Sequence, residues 1–311
     1  MKKFTFMHVA APLLAACAVA LSAAGCSQGD TSADEKDYTD VFIFMGQSNM
    51  AGRGNAAEAI PCGEGHAYEF RAVSGNDTDG WLYPLEEPFG ANENNAALSD
   101  GTNEDGKKTG GMTSAFCEAY YRTAGVPVTA VSASVGGTEI SQWLPGTDYF
   151  NESKRRLDEC VEYIESQTDM TVRCINMVWC QGESDAGNAL YTEQLKSILQ
   201  GLRSSFVEHC FVITPSEYDS PLTAELADSQ IALCRDDEDF VLASVKFRNV
   251  PEVLRDDPHF YQGVYNVAGW DAGTHAAQFI LSGTEPQCLP FEAGEEKELA
   301  EEFGITLSVT T

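Results

Sequence analysis

Val41-Phe42-Ile43-Phe44-Met45-Gly46-Gln47-Ser48-Asn49-Met50-Ala51-Gly52-Arg53-Gly54 joins five consecutive large apolar residues to a polar turn punctuated by glycine. Five residues is a strand's length, and the lack of alternation predicts a strand covered on both faces, as in a parallel sheet. Ser48 then lies where the chain leaves that strand. Similar apolar runs recur at 126–134, 175–180, 211–214 and 240–245. Between them, helical periodicity marks 113–123, 149–165, 188–207 and 223–235. Strand alternating with helix predicts an α/β fold, a three-layer α/β/α sandwich with a mainly parallel central sheet. Chemistry in such a sheet collects on loops at the carboxyl ends of the strands. Residues 52–112, rich in Gly, Asn, Asp and Glu, break the pattern and are expected to be long excursions over the rim of the sheet. The stretch 292–302 predicts an acidic, solvent-exposed helix.

The chain has 311 residues, 43% of them hydrophobic, enough to bury a sizeable core. Asp and Glu number 48 against 19 Lys and Arg, a net charge of −29 that excludes nucleic acid and an anionic membrane surface as partners. Lys2 and Lys3, an apolar stretch over 9–21 and small residues up to Gly25-Cys26 have the layout of an export signal. Leu21-Ser22-Ala23-Ala24-Gly25-Cys26 resembles a bacterial lipoprotein signal, in which cleavage leaves the cysteine to be acylated. The resemblance makes Cys26 a lipid anchor, and a cleaved, unlipidated signal is the alternative. The expected organisation is a signal peptide at 1–25, a polar tether at 26–39, a folded domain at 40–282 and an acidic extension at 283–311. Eight cysteines remain beyond the anchor, an even number that permits disulfides outside the cytoplasm, with buried thiols as the competing reading. No Cys/His spacing suggests zinc.

Four segments carry candidate chemistry. A serine leaving a buried strand is a nucleophile if a base lies in reach and turn amides receive the oxyanion; otherwise it is a helix cap. Ala133-Ser134-Val135-Gly136-Gly137-Thr138-Glu139-Ile140, with Trp143 beyond, puts a glycine pair after the second strand, where backbone amides approach a ligand or simply turn the chain. Trp179-Cys180-Gln181-Gly182-Glu183-Ser184-Asp185 gathers an amide and two carboxylates at a third strand end, with a helix N-cap as the plain alternative. Asp256-Asp257-Pro258-His259 supplies a histidine and an acid from one loop, the pairing a serine triad needs. His275 falls in a predicted helix one turn beyond Asp271, a spacing that suits a local pair.

Taken in order over residues 40–282, these blocks resemble the SGNH hydrolase superfamily, and within it the sialate O-acetylesterase and acetylxylan esterase group, carbohydrate esterase family 6. The resemblance implies a flavodoxin-like sandwich and an esterase that removes O-acetyl groups from a sialic acid or xylan-type glycan without metal or cofactor. It casts Ser48 as nucleophile and His259 as base, with Asp256 as the favoured acid and Glu183 its rival. The oxyanion hole would comprise the amides of Ser48 and of Gly136 or Gly137, with Gln181 as third donor. Many members carry Gly-x-Asn-Asp where this chain has Gly182-Glu183-Ser184-Asp185, which leaves the third donor open. Gln47, Asn49, Arg53 and Trp143 are the implied substrate contacts. Two other classes compete: a glycosidase using Glu183 and Asp185, and a non-catalytic carbohydrate-binding lipoprotein with an esterase-like fold. Paired carboxylates so close in sequence rarely face each other across a sugar ring. The anchor has its own test: Cys26→Ser abolishes lipid labelling and releases the protein or blocks its maturation, and unchanged membrane association refutes it.

Overall fold

The structure, a computed structural model, describes residues 37–72, 81–91, 108–216, 220–256 and 258–311. Cys26, the expected signal and most of the tether lie outside the described residues. Seven strands form one sheet: β1 (Asp37–Gly46), β2 (Ala67–Arg71), β3 (Trp81–Pro84), β4 (Val128–Ser134), β5 (Met170–Cys180), β6 (Cys210–Ile213) and β7 (Phe240–Ser244). Their order is β3-β2-β4-β1-β5-β6-β7, parallel throughout except for β3, which runs antiparallel to β2 at one edge. β1 is therefore the central strand. It begins at Asp37, three residues before the expected start of the domain, because Asp37, Tyr38 and Thr39 already pair with Met170, Thr171 and Val172.

Six helices cover the sheet or its extension: α2 (Thr113–Ala124), α3 (Asp148–Gln167), α4 (Tyr191–Leu202), α5 (Pro221–Asp236), α6 (Gln262–Ser282) and α7 (Glu295–Glu302), while α1 (Ser48–Ala51) is a single turn at the end of β1. Side chains of a strand alternate between faces, and β1 shows both layers at once. Val41, Ile43 and Met45 enter the core shared with Leu157 and Ile164 of α3, Leu195 and Ile198 of α4 and Leu226 of α5. Phe42 and Phe44 enter the opposite core, with Phe116 and Tyr120 of α2 and Val264 and Ala268 of α6. There Phe42 meets Phe116 edge-on at 5.3 Å and Tyr120 at 5.1 Å, geometries that suit the aromatic quadrupole. α2 and α6 pack backbone to backbone: a Cβ on Gly269 would lie 2.2 Å from the Met112 carbonyl oxygen.

The described parts of the excursion over 52–112 contribute β2 and β3 to the sheet, which its composition does not predict. Two of its acidic residues turn inward to hold backbone. Glu69, buried in β2, accepts from the Gly90 amide at 2.8 Å. Glu87 accepts from the amides of Phe89 and Gly111 through Oε2, both at 2.9 Å, and of Thr113 and Ser114 through Oε1 at 3.0 and 3.3 Å. The last two are the first amides of α2, whose own N-cap, Met112, offers no side-chain acceptor. Glu87 thus caps that helix from a distance, its carboxyl oxygens set at the positive end of the helix.

The stretch 292–302 forms the expected acidic helix as α7, with Lys297, Glu298, Glu301 and Glu302 exposed, but one of its glutamates faces inward. Glu296 of α7 is buried, accepting from the amides of Gly294 and Thr311 at 3.0 and 2.9 Å and from Thr311 Oγ1 at 2.7 Å. A carboxylate that gathers donors in this way is satisfied off the solvent. The eight cysteines over 62–288 are all free thiols, six of them buried, so the structure follows the buried-thiol alternative. Glu87→Gln places an amide opposite two backbone N–H groups and leaves them unpaired, which lowers stability by on the order of 2–3 kcal/mol. Urea denaturation checks this; an unchanged midpoint would mean the amides find other acceptors.

Candidate active site

β4, β1 and β5 are adjacent and parallel, so Gly136, Ser48 and Gln181 leave the sheet along one edge. Gly46 closes β1 with φ +145°, and a Cβ there would lie 2.0 Å from the Cys180 carbonyl oxygen. Only glycine fits that gap. The Gln47 amide donates to the same carbonyl at 3.1 Å, and Ser48 opens α1. Ser48 is 7% exposed, and its amide occupies the first helical position, where no carbonyl of the helix receives it. Gly137 is exposed with φ +72°, one residue after the half-buried Gly136.

His259 arrives from outside the sheet. β8 (Arg255–Asp256) and β9 (His259–Phe260) form a minimal antiparallel hairpin in which Asp256 stands directly opposite His259. Opposed residues of an antiparallel pair share a face with Cβ atoms about 5 Å apart, so the hairpin presents acid and imidazole together. Asp256 is exposed and His259 half-buried. The hairpin is fastened by Phe260, fully buried, which stacks on Phe247 at 4.6 Å and meets Tyr265 edge-on at 6.0 Å. β9 lies against α1, the turn that carries Ser48. The other histidines stand elsewhere. His66 and His209 precede β2 and β6 and so lie at the amino ends of the strands, His66 bonded to Glu118 at 2.7 Å. His275 lies on α6 beside Asp271, as its spacing predicts.

Behind Ser48 is a frame of buried polar groups. Gln181 Nε2 lies 2.5 Å from Asp185 Oδ2, 2.9 Å from the Thr138 carbonyl and 3.1 Å from Gln47 Oε1. Its Oε1 and its backbone carbonyl both accept from Tyr191 Oη, at 2.8 and 2.7 Å. The two amide hydrogens of Gln181, the residue implied as third oxyanion donor, thus face three protein acceptors. Asp185 also accepts from the Ile140 amide at 2.8 Å and Asn188 Nδ2 at 3.0 Å, tying the loop after β4 to the loop after β5.

Three of the implied substrate contacts likewise face inward. Gln47, 3% exposed, accepts from Gln181 and the Ser184 amide. Trp143 is fully buried, donating to Thr138 Oγ1 at 3.0 Å and packed edge-on against Trp179. Asn49, also fully buried, donates to Glu183 Oε1 at 2.7 Å and accepts from Tyr265 Oη at 2.8 Å. Arg53 is half-buried just beyond α1, its Nη1 donating to the Gly52 carbonyl at 3.2 Å.

Glu183 braces α1 from the far side. Its Oε1 accepts from Asn49 and from the Ser216 amide at 3.1 Å, while Oε2 is buried and has no hydrogen-bond partner among the described residues. Burial pushes its carboxyl pKa above the usual range, against the lowering effect of the Asn49 and Ser216 donors. Glu183 and Asp185 are thus both committed to internal donors, an arrangement unsuited to the paired carboxylates of a glycosidase. Sequence reasoning missed Tyr191, Ser216, Gln230 and Tyr265, which complete the frame. They carry no motif and reach it only through the packing of α4, α5, the β6 exit and α6.

A parallel sandwich whose central strand delivers a serine between a glycine pair and a Gln-Gly-Glu turn is the architecture of the SGNH hydrolases. Residues 38–230 match the family described as carbohydrate esterase, sialic acid-specific acetylesterase. The chain belongs to that family and is a carbohydrate O-acetylesterase. The match ends before the hairpin that carries His259. Among solved structures, the chain is similar to a protein from Arabidopsis thaliana, with TM-score 0.57 and 19% identity over 78% of this chain and 98% of that one. It is also similar to NanS, with TM-score 0.55 and 12% identity over 80% of this chain and 99% of the other. These two likenesses bear on the fold. No curated protein matches the sequence.

The raised carboxyl of Glu183 has a thermodynamic consequence. A group that holds its proton more tightly when folded contributes stability below its ordinary value, about 4.5, and loses it as pH rises through the shifted one. Wild type therefore loses melting temperature relative to Glu183→Gln as pH increases from 4 to 8. Parallel curves in scanning calorimetry refute the assignment.

Proposed function

We propose that this esterase removes O-acetyl groups from sialic acid through an acetyl-serine intermediate. The observation that carries the mechanism is the hairpin pairing Asp256 with His259, packed against the turn that begins at Ser48. Ser48 Oγ attacks the acetyl carbonyl carbon while the His259 imidazole takes its proton, and Asp256 holds the imidazole in the receptive tautomer. The carbonyl oxygen becomes an oxyanion facing the amides of Ser48 and of Gly136 or Gly137. Collapse breaks the bond from the acetyl carbon to the sugar oxygen, which leaves with the proton from His259. Water, deprotonated by the same imidazole, then attacks the acetyl-serine and frees acetate, and the proton returns to Ser48.

The preference for sialic acid over a xylan-type glycan rests on the description of the family matched over residues 38–230. A sialic acid carries a carboxylate, and Arg53 is its proposed counter-charge in a chain whose net charge is −29. Export and anchoring at Cys26 belong to the same proposal, supported by the signal-like residues 1–26, and bring the enzyme to extracellular glycans.

The test is acetate release from O-acetylated sialosides and xylo-oligosaccharides. Ser48→Ala abolishes it on every substrate. Asp256→Asn lowers kcat by about 10³–10⁴-fold, the loss seen when a triad loses its orienting carboxylate. Glu183→Gln, which leaves a side chain able to accept from Asn49, costs far less. If Glu183→Gln is the more damaging while circular dichroism stays native, the acid is Glu183. Faster release from xylo-oligosaccharides overturns the substrate assignment alone.

A further inference from the structure

On the outer helical layer, Asp271 and His275 share one face of α6 a turn apart, and Cys288 of the extension lies beside them. Cys288 Sγ is 3.5 Å from His275 Nδ1, which is 3.7 Å from Asp271 Oδ1, and one ligand atom from each of the three side chains falls within 4.8 Å of the others. The Asp–His separation is too long for a hydrogen bond. His275 Nδ1 instead directs its proton at the Ala243 carbonyl, 2.8 Å away, and Cys288 Sγ donates to the Leu242 carbonyl at 3.2 Å. Asp271 Oδ2 is buried and has no hydrogen-bond partner among the described residues. Two half-buried polar side chains and a thiol therefore converge with one carboxylate oxygen left unpartnered, and none belongs to the esterase site.

We propose that Asp271, His275 and Cys288 bind a zinc-class divalent cation that clamps the C-terminal extension to α6 and the end of β7. The donor set is the mixed sulfur, nitrogen and oxygen set that zinc accepts. The spacing agrees as well. Metal–sulfur and metal–nitrogen bonds of about 2.3 and 2.0–2.1 Å at a tetrahedral angle separate sulfur from nitrogen by about 3.5 Å, and nitrogen from oxygen by about 3.4 Å. The first separation is the one found, and the second requires a shift of about 0.3 Å. A cavity of about 330 Å³ reaches Asp271 past Glu295, Glu298 and Glu302, an acidic approach for a cation. Lys246 also lines it, but its charge is paired with Glu295 at 2.6 Å.

Binding moves two protons. The Cys288 thiol, its pKa pushed up to about 12 by burial and by the Asp271 charge, releases its proton to solvent as the metal–sulfur bond forms. The imidazole proton passes from Nδ1 to Nε2, freeing the Nδ1 lone pair. The Ala243 carbonyl, 2.8 Å from Nδ1 in the direction of that lone pair, loses its donor and must draw aside to admit the ion.

The test uses the full folded domain with its extension, stripped with chelator and given zinc or cobalt alone. Wild type binds one equivalent of zinc in equilibrium dialysis, and zinc slows alkylation of Cys288 in peptide-resolved mass spectrometry. Cobalt gives a sulfur-to-metal charge-transfer band that Cys288→Ser lacks. Cys288→Ser and His275→Gln weaken zinc binding by at least about tenfold, the loss that even a change outside the coordinating shell produces. Acetate release stays unchanged in both variants. Should either variant fail to fold, the alkylation and cobalt measurements on wild type decide alone. Equal alkylation of Cys288 with and without zinc, or zinc uptake by Cys288→Ser as tight as by wild type, overturns the proposal.

Discussion

β1 is bonded to β4 along one edge and to β5 along the other as far as Gly46, where its partners are Ser134 and Cys180. The chain must leave a strand that is closed on both sides, and it does so at a residue with no room for a side chain. This constraint sets the direction in which Gln47 and Ser48 emerge, and so the place of Ser48 between the loops that follow β4 and β5. An alanine at position 46 would have to displace the Cys180 carbonyl, which is itself held by the Gln47 amide. The turn and the third strand end are one mechanical unit.

That unit is stiffened from behind by polar groups sealed away from water. Gln181, Asp185, Gln47, Thr138 and Tyr191 bond mainly to one another, while Asn49 links Glu183 of the β5 exit to Tyr265 of α6. Buried networks of this kind are worth having only when their members are satisfied, since each stranded donor or acceptor costs about 1–3 kcal/mol. Here one oxygen of Glu183 and one of Gln230 are left over. The frame thus trades a local loss for links from α1 through Asn49 and Glu183 to the β5 exit, to Ser216 beyond β6 and to α6.

The strands of the sheet centre were legible because both-face burial forces unbroken apolar runs: β1, β4, β6 and β7 match their predicted spans within a few residues. β5 was predicted only over its buried half. Its first four residues, Met170, Thr171, Val172 and Arg173, are partly exposed and polar at two positions, so they carry no such signal. β2 and β3 were missed because β2 buries a glutamate, Glu69, whose satisfaction by the Gly90 amide only the fold supplies. For the same reason the internal partners of Gln47, Asn49, Gln181 and Trp143 were not legible. Amides and indoles beside a nucleophile read equally well as substrate contacts or as framework, and only the identity of their partners distinguishes the two. The positions of Ser48, the glycine pair and the Asp256–His259 loop at strand exits and a turn were legible in the sequence, while the roles given to them came from the family resemblance.

The imidazole rides on an element of a different order from the rest of the site. Ser48, Gly136 and the Gln181 frame belong to the central sheet, whereas His259 sits on a hairpin of two residues per strand, held by the Phe260–Phe247 stack. Cooperative units of that size open far more readily than a seven-stranded core. Exchange of the hairpin's amides with solvent is governed by this small unit, while those of β1 exchange only with global unfolding. The alignment of His259 to Ser48 therefore has its own local free energy, and heat can release the hairpin from an otherwise native sandwich.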